Sequence, residues 1–213
     1  MKRKMKREDI DYPVYLVTDR RDKTDDEFLS IIEEAIIGGT SIVQLREKTA
    51  STKEFYDLAL KVKEITSKYD VPLLINDRID IALAIDSEGV HIGQDDMPAV
   101  VARKIIGEDK ILGVSASTVE EAKKAEIDGA DYIGSGAVFP TSTKDDADSV
   151  SKEELKEIVD SIDIPVVAIG GISLENAHTL KDSGIAGFSV VSAIMSAEDP
   201  KDSSQKLREI YFS

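Results

Sequence analysis

The sequence predicts a (β/α)8 barrel, and three observations point to it. Short apolar runs alternate with longer amphipathic ones eight times along 213 residues, a length near the lower limit for that fold. Runs such as Pro72-Leu73-Leu74-Ile75 and Pro165-Val166-Val167-Ala168-Ile169 are continuous rather than alternating, as strands buried on both faces of a parallel sheet are. Four S/T-x-x-E matches, Thr24/Glu27, Ser51/Glu54, Thr118/Glu121 and Ser151/Glu154, each stand at the start of an amphipathic run. In such a capping box the hydroxyl and the carboxylate satisfy free backbone N–H groups at a helix start. An open doubly wound sheet is the alternative, but it usually needs fewer strands, and no G-x-G-x-x-G follows the first run.

Val14 to Val17 reads as the first strand. Asp25 to Ile37 is helical, with Phe28, Leu29, Ile31, Ile32, Ala35 and Ile36 at helical spacing, and Gly38-Gly39 ends it. Ser41 to Leu45 is the second strand and Ser51 to Tyr69 the second helix. Val71 to Ile75 is the third strand, followed by a short helix from Ile79 to Ala84. Gly89 to Ile92 is the fourth, with a helix from Pro98 to Ile106. Ile111 to Val114 precedes a helix from Val119 to Asp128, and Asp131 to Ile133 precedes one from Lys152 to Ser161. Pro165 to Ile169 is the seventh strand, with a helix from Leu174 to Ser183. Gly187 to Val191 is the eighth, and helical sequence closes the chain.

Residues 10–213 thus form one domain, and residues 1–9 a basic tail read as a frayed, solvated terminus. The net charge is −15, and Lys2, Arg3, Lys4, Lys6 and Arg7 leave the remainder at about −20. That argues against a nucleic-acid-binding body, which needs a basic face. No apolar run reaches the roughly 18 residues that span a membrane, and the basic start leads to Glu8-Asp9 rather than an apolar segment. With no cysteine there is no disulfide, thiolate nucleophile or cysteine metal site. A cytoplasmic protein is the expectation. Oligomeric state is left open, a homo-oligomer included. Only two histidines, His91 and His178, argue against a His-rich metal site. His91 is taken as a packed, structural side chain.

In this fold chemistry sits at the C-terminal ends of the strands. After the second strand come Gln44, Leu45, Arg46, Glu47 and Lys48. Alternation points Gln44, Arg46 and Lys48 to one side and Leu45 and Glu47 to the other, so two cations converge where an anion would offset their repulsion. After the third strand comes Asn76-Asp77-Arg78, and after the fourth Gln94-Asp95-Asp96. One carboxylate from each of two neighbouring strands, with substrate phosphates, suits Mg²⁺. Helix N-capping is the competing job for the same aspartates. Ser115 follows the fifth strand, free of the capping box that occupies Thr118.

After the sixth strand comes Gly134-Ser135-Gly136-Ala137-Val138-Phe139-Pro140-Thr141-Ser142-Thr143-Lys144, whose hydroxyls and ammonium suit an anionic, phosphorylated ligand. Gly170-Gly171-Ile172 and Val191-Ser192-Ala193 follow the last two strands. Small residues there let backbone N–H groups and a helix N-terminus reach a phosphate. Two anion sites in one mouth suit a transfer between two phosphorylated substrates, with pyrophosphate as leaving group.

Tyr15-Leu16-Val17-Thr18-Asp19-Arg20, Q-L-R-E-K at 44–48, I-N-D-R at 75–78, G-V-H-I-G-Q-D-D at 89–96, L-G-V-S at 112–115, the 134–144 stretch and A-I-G-G-I at 168–172 occur in that order. Together they make the chain resemble the thiamine phosphate synthase family. The resemblance runs from Tyr15 to Ile194, and the basic tail lies outside it. It implies condensation of hydroxymethylpyrimidine diphosphate with hydroxyethylthiazole phosphate to thiamine phosphate and pyrophosphate. It implies Gln44, Leu45, Arg46, Glu47, Lys48, Asn76, Ser115 and Lys144 on the pyrimidine diphosphate, with Arg46, Lys48, Ser115 and Lys144 taking part in catalysis. Asp77 and Asp96 would hold Mg²⁺, and Thr141, Ser142, Thr143, Gly171, Val191 and Ser192 the thiazole phosphate. Many members carry His where this chain has Ser117, and a similar barrel, the thiazole tautomerase, uses a histidine in this region for proton transfer. Its absence here favours the synthase. The tautomerase and a non-catalytic phosphate- or thiamine-binding barrel are the alternatives.

Overall fold

A computed structural model describes residues 10–141 and 149–213. The basic tail, and Ser142, Thr143 and Lys144, lie outside the described residues. Eight parallel strands close in sequence order into one barrel. They are β1 (Val14–Val17), β2 (Ile42–Leu45), β3 (Leu73–Asn76), β4 (Gly89–Ile92), β5 (Ile111–Ser115), β6 (Tyr132–Ser135), β7 (Val166–Ile169) and β8 (Gly187–Val190). β1 pairs with β8, Tyr15 opposite Ser189, so the barrel closes without an open edge among the described residues. The helices are α1 (Asp25–Ile37), α2 (Thr52–Lys68), α3 (Ile79–Ala84), α4 (Ala99–Ile106), α5 (Val119–Ile127), α6 (Lys152–Ser161), α7 (Ser192–Met195) and α8 (Pro200–Phe212).

The continuous apolar strands divide into two cores by alternation. Outward side chains such as Leu16, Val43, Leu45, Ile75 and Val90 pack under the helices. Inward ones such as Tyr15, Val17, Ile42, Leu74, Tyr132 and Val167 fill the barrel itself. Each residue type follows from burial on both faces, since every strand is covered by lumen on one side and helix on the other.

Three predicted capping boxes close fully, at Thr24/Glu27, Ser51/Glu54 and Ser151/Glu154. The fourth is only half made. Thr118 accepts from the Glu121 N–H, but the Glu121 carboxylate accepts from the Ser117 N–H, at 2.7 Å. The predicted helix from Leu174 to Ser183 is corrected: the segment is a 3-10 helix, Ala177–Ser183. Asn176 stands immediately before it. Its amide oxygen accepts from the Ser173 N–H and its amide N–H donates to the Gly171 carbonyl, both at 2.9 Å. The Asn176 carbonyl in turn accepts from the Thr179 N–H at 2.9 Å, the three-residue bond of a 3-10 turn rather than the four-residue bond of an α-helix.

At the N-terminal end of the strands, Arg103 of α4 forms a buried clamp. Its guanidinium donates to the carbonyls of Gly107, Lys110 and Gly129 at 2.7–3.0 Å and to Asp131 Oδ2 at 2.5 Å. Asp131 Oδ2 also accepts from the Leu112 N–H at 2.8 Å. One ion pair thus joins α4, the β5 start and the β6 start.

Candidate active site

The C-terminal ends of the strands surround a cavity of about 390 Å³. On the β2 side Gln44, Arg46 and Lys48 all line it. Leu45 is fully buried in the outer core. Glu47 does not line the cavity, and its Oε1 is buried without a hydrogen-bond partner among the described residues. Burial pushes its carboxyl above the usual range, with nearby Arg20 opposing. The structure therefore brings in the side chains of three members of the five-residue run, as period-2 geometry requires, and turns those of Leu45 and Glu47 away.

Asp77 follows β3 in a left-handed conformation, φ +60°, which Asp tolerates better than most side chains. Its Oδ2 pairs with Lys48 Nζ at 2.5 Å. The N-cap of α3 is Arg78, with no side-chain cap, so Asp77 is not spent on capping. Asp96 Oδ2 accepts from the Gly93 N–H at 2.7 Å, while the N-cap of α4 is Pro98, again without a side-chain cap. Burial first, and then the neighbouring Asp77 carboxylate, push the Asp96 carboxyl above its ordinary range, against Gly93 N–H and Lys48.

Two carboxylates held close enough to oppose each other's charge are a fitting place for a hard dication. Among the described residues no group of three or more His, Asp or Glu side chains converges. A cation here would draw its remaining oxygens from substrate phosphates and water, as Mg²⁺ commonly does. Asn76 lines the same wall, and its Nδ2 is buried with no partner among the described residues. A donor so placed costs stability unless a ligand accepts from it.

On the opposite wall are Thr141, Gly170, Gly171, Val191 and Ser192. The loop leaving β6 lies on the loop leaving β7 through Val138 N–H to Ile169 O at 3.0 Å and Phe139 N–H to Gly170 O at 3.1 Å. Gly171 has φ +63°, and a Cβ there would stand 2.5 Å from the Pro140 carbonyl oxygen. Only glycine allows both the left-handed turn and this approach. Gly171→Ala is expected to destabilise the fold by about 1–3 kcal/mol, read as a lowered melting midpoint. An unchanged midpoint would show the two loops to be independent.

Sequence reasoning singled out Ser115 but not what surrounds it. Its Oγ lies 3.0 Å from His91 Nε2, and its carbonyl accepts from Gln94 Nε2 at 2.6 Å. His91, read as a packed histidine, is largely buried yet lines the cavity, as do Tyr15 and Glu121. Inward alternation along β1 and β4 was the signal for Tyr15 and His91. What it could not supply was that they meet.

The family model described as thiamine monophosphate synthase matches residues 14–194. A thiamine-phosphate synthase of Methanobrevibacter smithii is 67% identical over 198 residues, 93% of this chain and 94% of the relative. One from Clostridium tetani is 55% identical over 95% of this chain and 97% of its own. A solved structure of a thiamine phosphate pyrophosphorylase from Pyrococcus furiosus superposes with a TM-score of 0.86 at 42% identity, covering 94% of this chain and 95% of the other. A (S)-3-O-geranylgeranylglyceryl phosphate synthase from Thermoplasma acidophilum, 15% identical with a TM-score of 0.68, shares the fold alone.

Proposed function

The chain belongs to the thiamine monophosphate synthase family and is a transferase of thiamine biosynthesis, and we propose that it joins 4-amino-5-hydroxymethyl-2-methylpyrimidine diphosphate to 4-methyl-5-(2-hydroxyethyl)thiazole phosphate, releasing pyrophosphate. The observation that carries this reading is the division of the cavity. Cationic Arg46 and Lys48 and the Asp77/Asp96 pair stand on the β2–β4 side, and a glycine-floored cradle, uncharged among the described residues, stands on the β7–β8 side.

In the proposal the diphosphate lies against Arg46 and Lys48, joined by Lys144 from the sequence that follows β6. Asn76 donates to the diphosphate through its unpaired amide N–H, and Gln44 and Ser115 orient the pyrimidine ring. The carbon–oxygen bond to the diphosphate breaks first, its electron pair leaving with pyrophosphate. The three cations take up the charge that develops on the leaving oxygens. Asp77 and Asp96 would hold Mg²⁺, which supplies further neutralisation of the diphosphate. The electron-rich aminopyrimidine stabilises the methylene cation. The thiazole nitrogen, oriented by its phosphate on Thr141, Ser142, Thr143, Gly171, Val191 and Ser192, then forms the carbon–nitrogen bond with its lone pair. That nitrogen carries no proton, so no general base is needed.

The reaction takes place in the cytoplasm on this reading, and no helix among the described residues is long and apolar enough to cross a membrane. The test is release of pyrophosphate when both substrates are supplied. Isomerisation of a thiazole without release would indicate a tautomerase instead, and binding without turnover a carrier. Lys144→Ala is expected to lower turnover by about 10²–10³-fold with unchanged folding. Near-normal turnover in that variant would remove Lys144 from the leaving-group site.

A further inference from the structure

Five polar side chains form a continuous chain through the barrel interior. Gln44 Nε2 donates to Tyr15 Oη at 2.6 Å. Tyr15 Oη and Tyr132 Oη are 2.7 Å apart, Tyr132 Oη and His91 Nδ1 2.8 Å, and His91 Nε2 and Ser115 Oγ 3.0 Å. Barrel interiors are usually filled by branched apolar residues. Here room is made for polar ones: a Cβ on Gly113 would stand 2.2 Å from Tyr132 Oη, and one on Gly134 3.0 Å from His91 Cε1. Both tyrosines are fully buried, and burial is the main cause raising their phenols far above the ordinary value. Each therefore keeps one proton to give.

We propose that this chain is a one-way hydrogen-bond relay that presents Ser115 to the substrate as a donor, making Tyr15, Tyr132 and His91 positioning residues for the reaction. The direction follows from counting protons. The Gln44 amide nitrogen can only donate. Tyr15, having accepted from it, gives its own proton to Tyr132. Tyr132 gives its proton to His91 Nδ1. A neutral imidazole that accepts at Nδ1 carries its proton on Nε2, and that N–H donates to Ser115 Oγ. The Ser115 hydroxyl proton is then free for a ligand, and the Gln44 amide oxygen is the acceptor left at the other end. A ring nitrogen, which only accepts, suits Ser115, and an exocyclic amino group suits the Gln44 oxygen. An oxo-pyrimidine with a protonated ring nitrogen offers the reverse. With the Gln44 amide turned over, every bond in the chain would run backwards. His91 would then carry its proton on Nδ1, and Ser115 would be an acceptor. The two senses therefore predict opposite tautomers of one histidine.

The substrate assignment rests on the pyrimidine placement proposed above, but the relay is read on the free protein. In the unliganded full-length chain labelled with ¹⁵N-histidine, His178→Gln identifies the His91 signals. The Nε2–H tautomer is expected. Tyr132→Phe, which breaks the relay in its middle, is expected to lose that single tautomer. It should also raise KM for the pyrimidine diphosphate roughly tenfold without changing KM for the thiazole phosphate. Should Tyr132→Phe not fold, Tyr15→Phe makes the same break one link earlier. An Nδ1–H tautomer in the parent protein overturns the direction. An unshifted tautomer and unshifted KM in both variants overturn the relay. A parent protein that shows the expected tautomer but does not join the two substrates would sink the proposed reaction and leave the relay standing.

Discussion

Asp77→Asn is expected to lower turnover by about 10²–10³-fold with the melting midpoint held within about 2 °C. Both halves follow from the geometry. Asp77 lies at the cavity wall, pairs with Lys48 at 2.5 Å and stands beside Asp96. Removing its charge leaves one carboxylate for the proposed cation and lets Lys48 drift from its position. The ion pair itself contributes little to stability, because the Lys48 side chain is 53% exposed and such pairs are worth about 0–1 kcal/mol. Asparagine is the informative replacement. It accepts the φ of +60° as readily as aspartate does, so backbone strain does not confuse the result. Pyrophosphate release at saturating concentrations of both substrates reads the effect. Turnover within threefold of the parent would rule out a catalytic cation held at this position.

Asp131→Ala is expected to do the opposite, costing about 3–5 kcal/mol of stability and leaving the chemistry untouched. The Arg103–Asp131 pair is 8% and 11% exposed, so the variant leaves a guanidinium in the interior without its countercharge. It also leaves the Leu112 N–H without its acceptor. For a chain of this size the loss corresponds to a fall in melting midpoint of about 6–20 °C. The clamp lies at the strand ends away from the cavity, so kcat and both KM values below the transition should match the parent. Asp131→Asn separates the two causes, since it keeps an acceptor for Leu112 but not the charge. A midpoint lowered by less than about 2 °C in Asp131→Ala would show that the carbonyl contacts alone hold Arg103.

The competition between capping and ligand binding at Asp77 and Asp96 shows where sequence reading stops. A capping box spans four residues, so Thr24/Glu27, Ser51/Glu54 and Ser151/Glu154 are legible locally. Even there Glu121 went to the Ser117 N–H instead, one residue from the expected partner. The partner of Asp77 is 29 residues away, and no local pattern decides between a helix N–H and a distant ammonium. The same limit holds for Leu45 and Glu47. Alternation placed them away from the mouth, and a motif read as a block placed them in it. The structure follows the alternation.

By itself the sequence determined the barrel, through eight buried strands and the helix starts between them, and it placed residues such as Arg46, Lys48, Asp77, Asp96 and Ser115 at the mouth, through position after each strand. Both depend on interactions of short range or on a simple period. Tertiary structure alone decided that neither Asp77 nor Asp96 is the N-cap of the helix that follows it, and that Tyr15 meets Tyr132 across 117 residues of chain. Those outcomes depend on the closure of the barrel, which sets side chains from distant strands at hydrogen-bond distance inside a space that two glycines leave open.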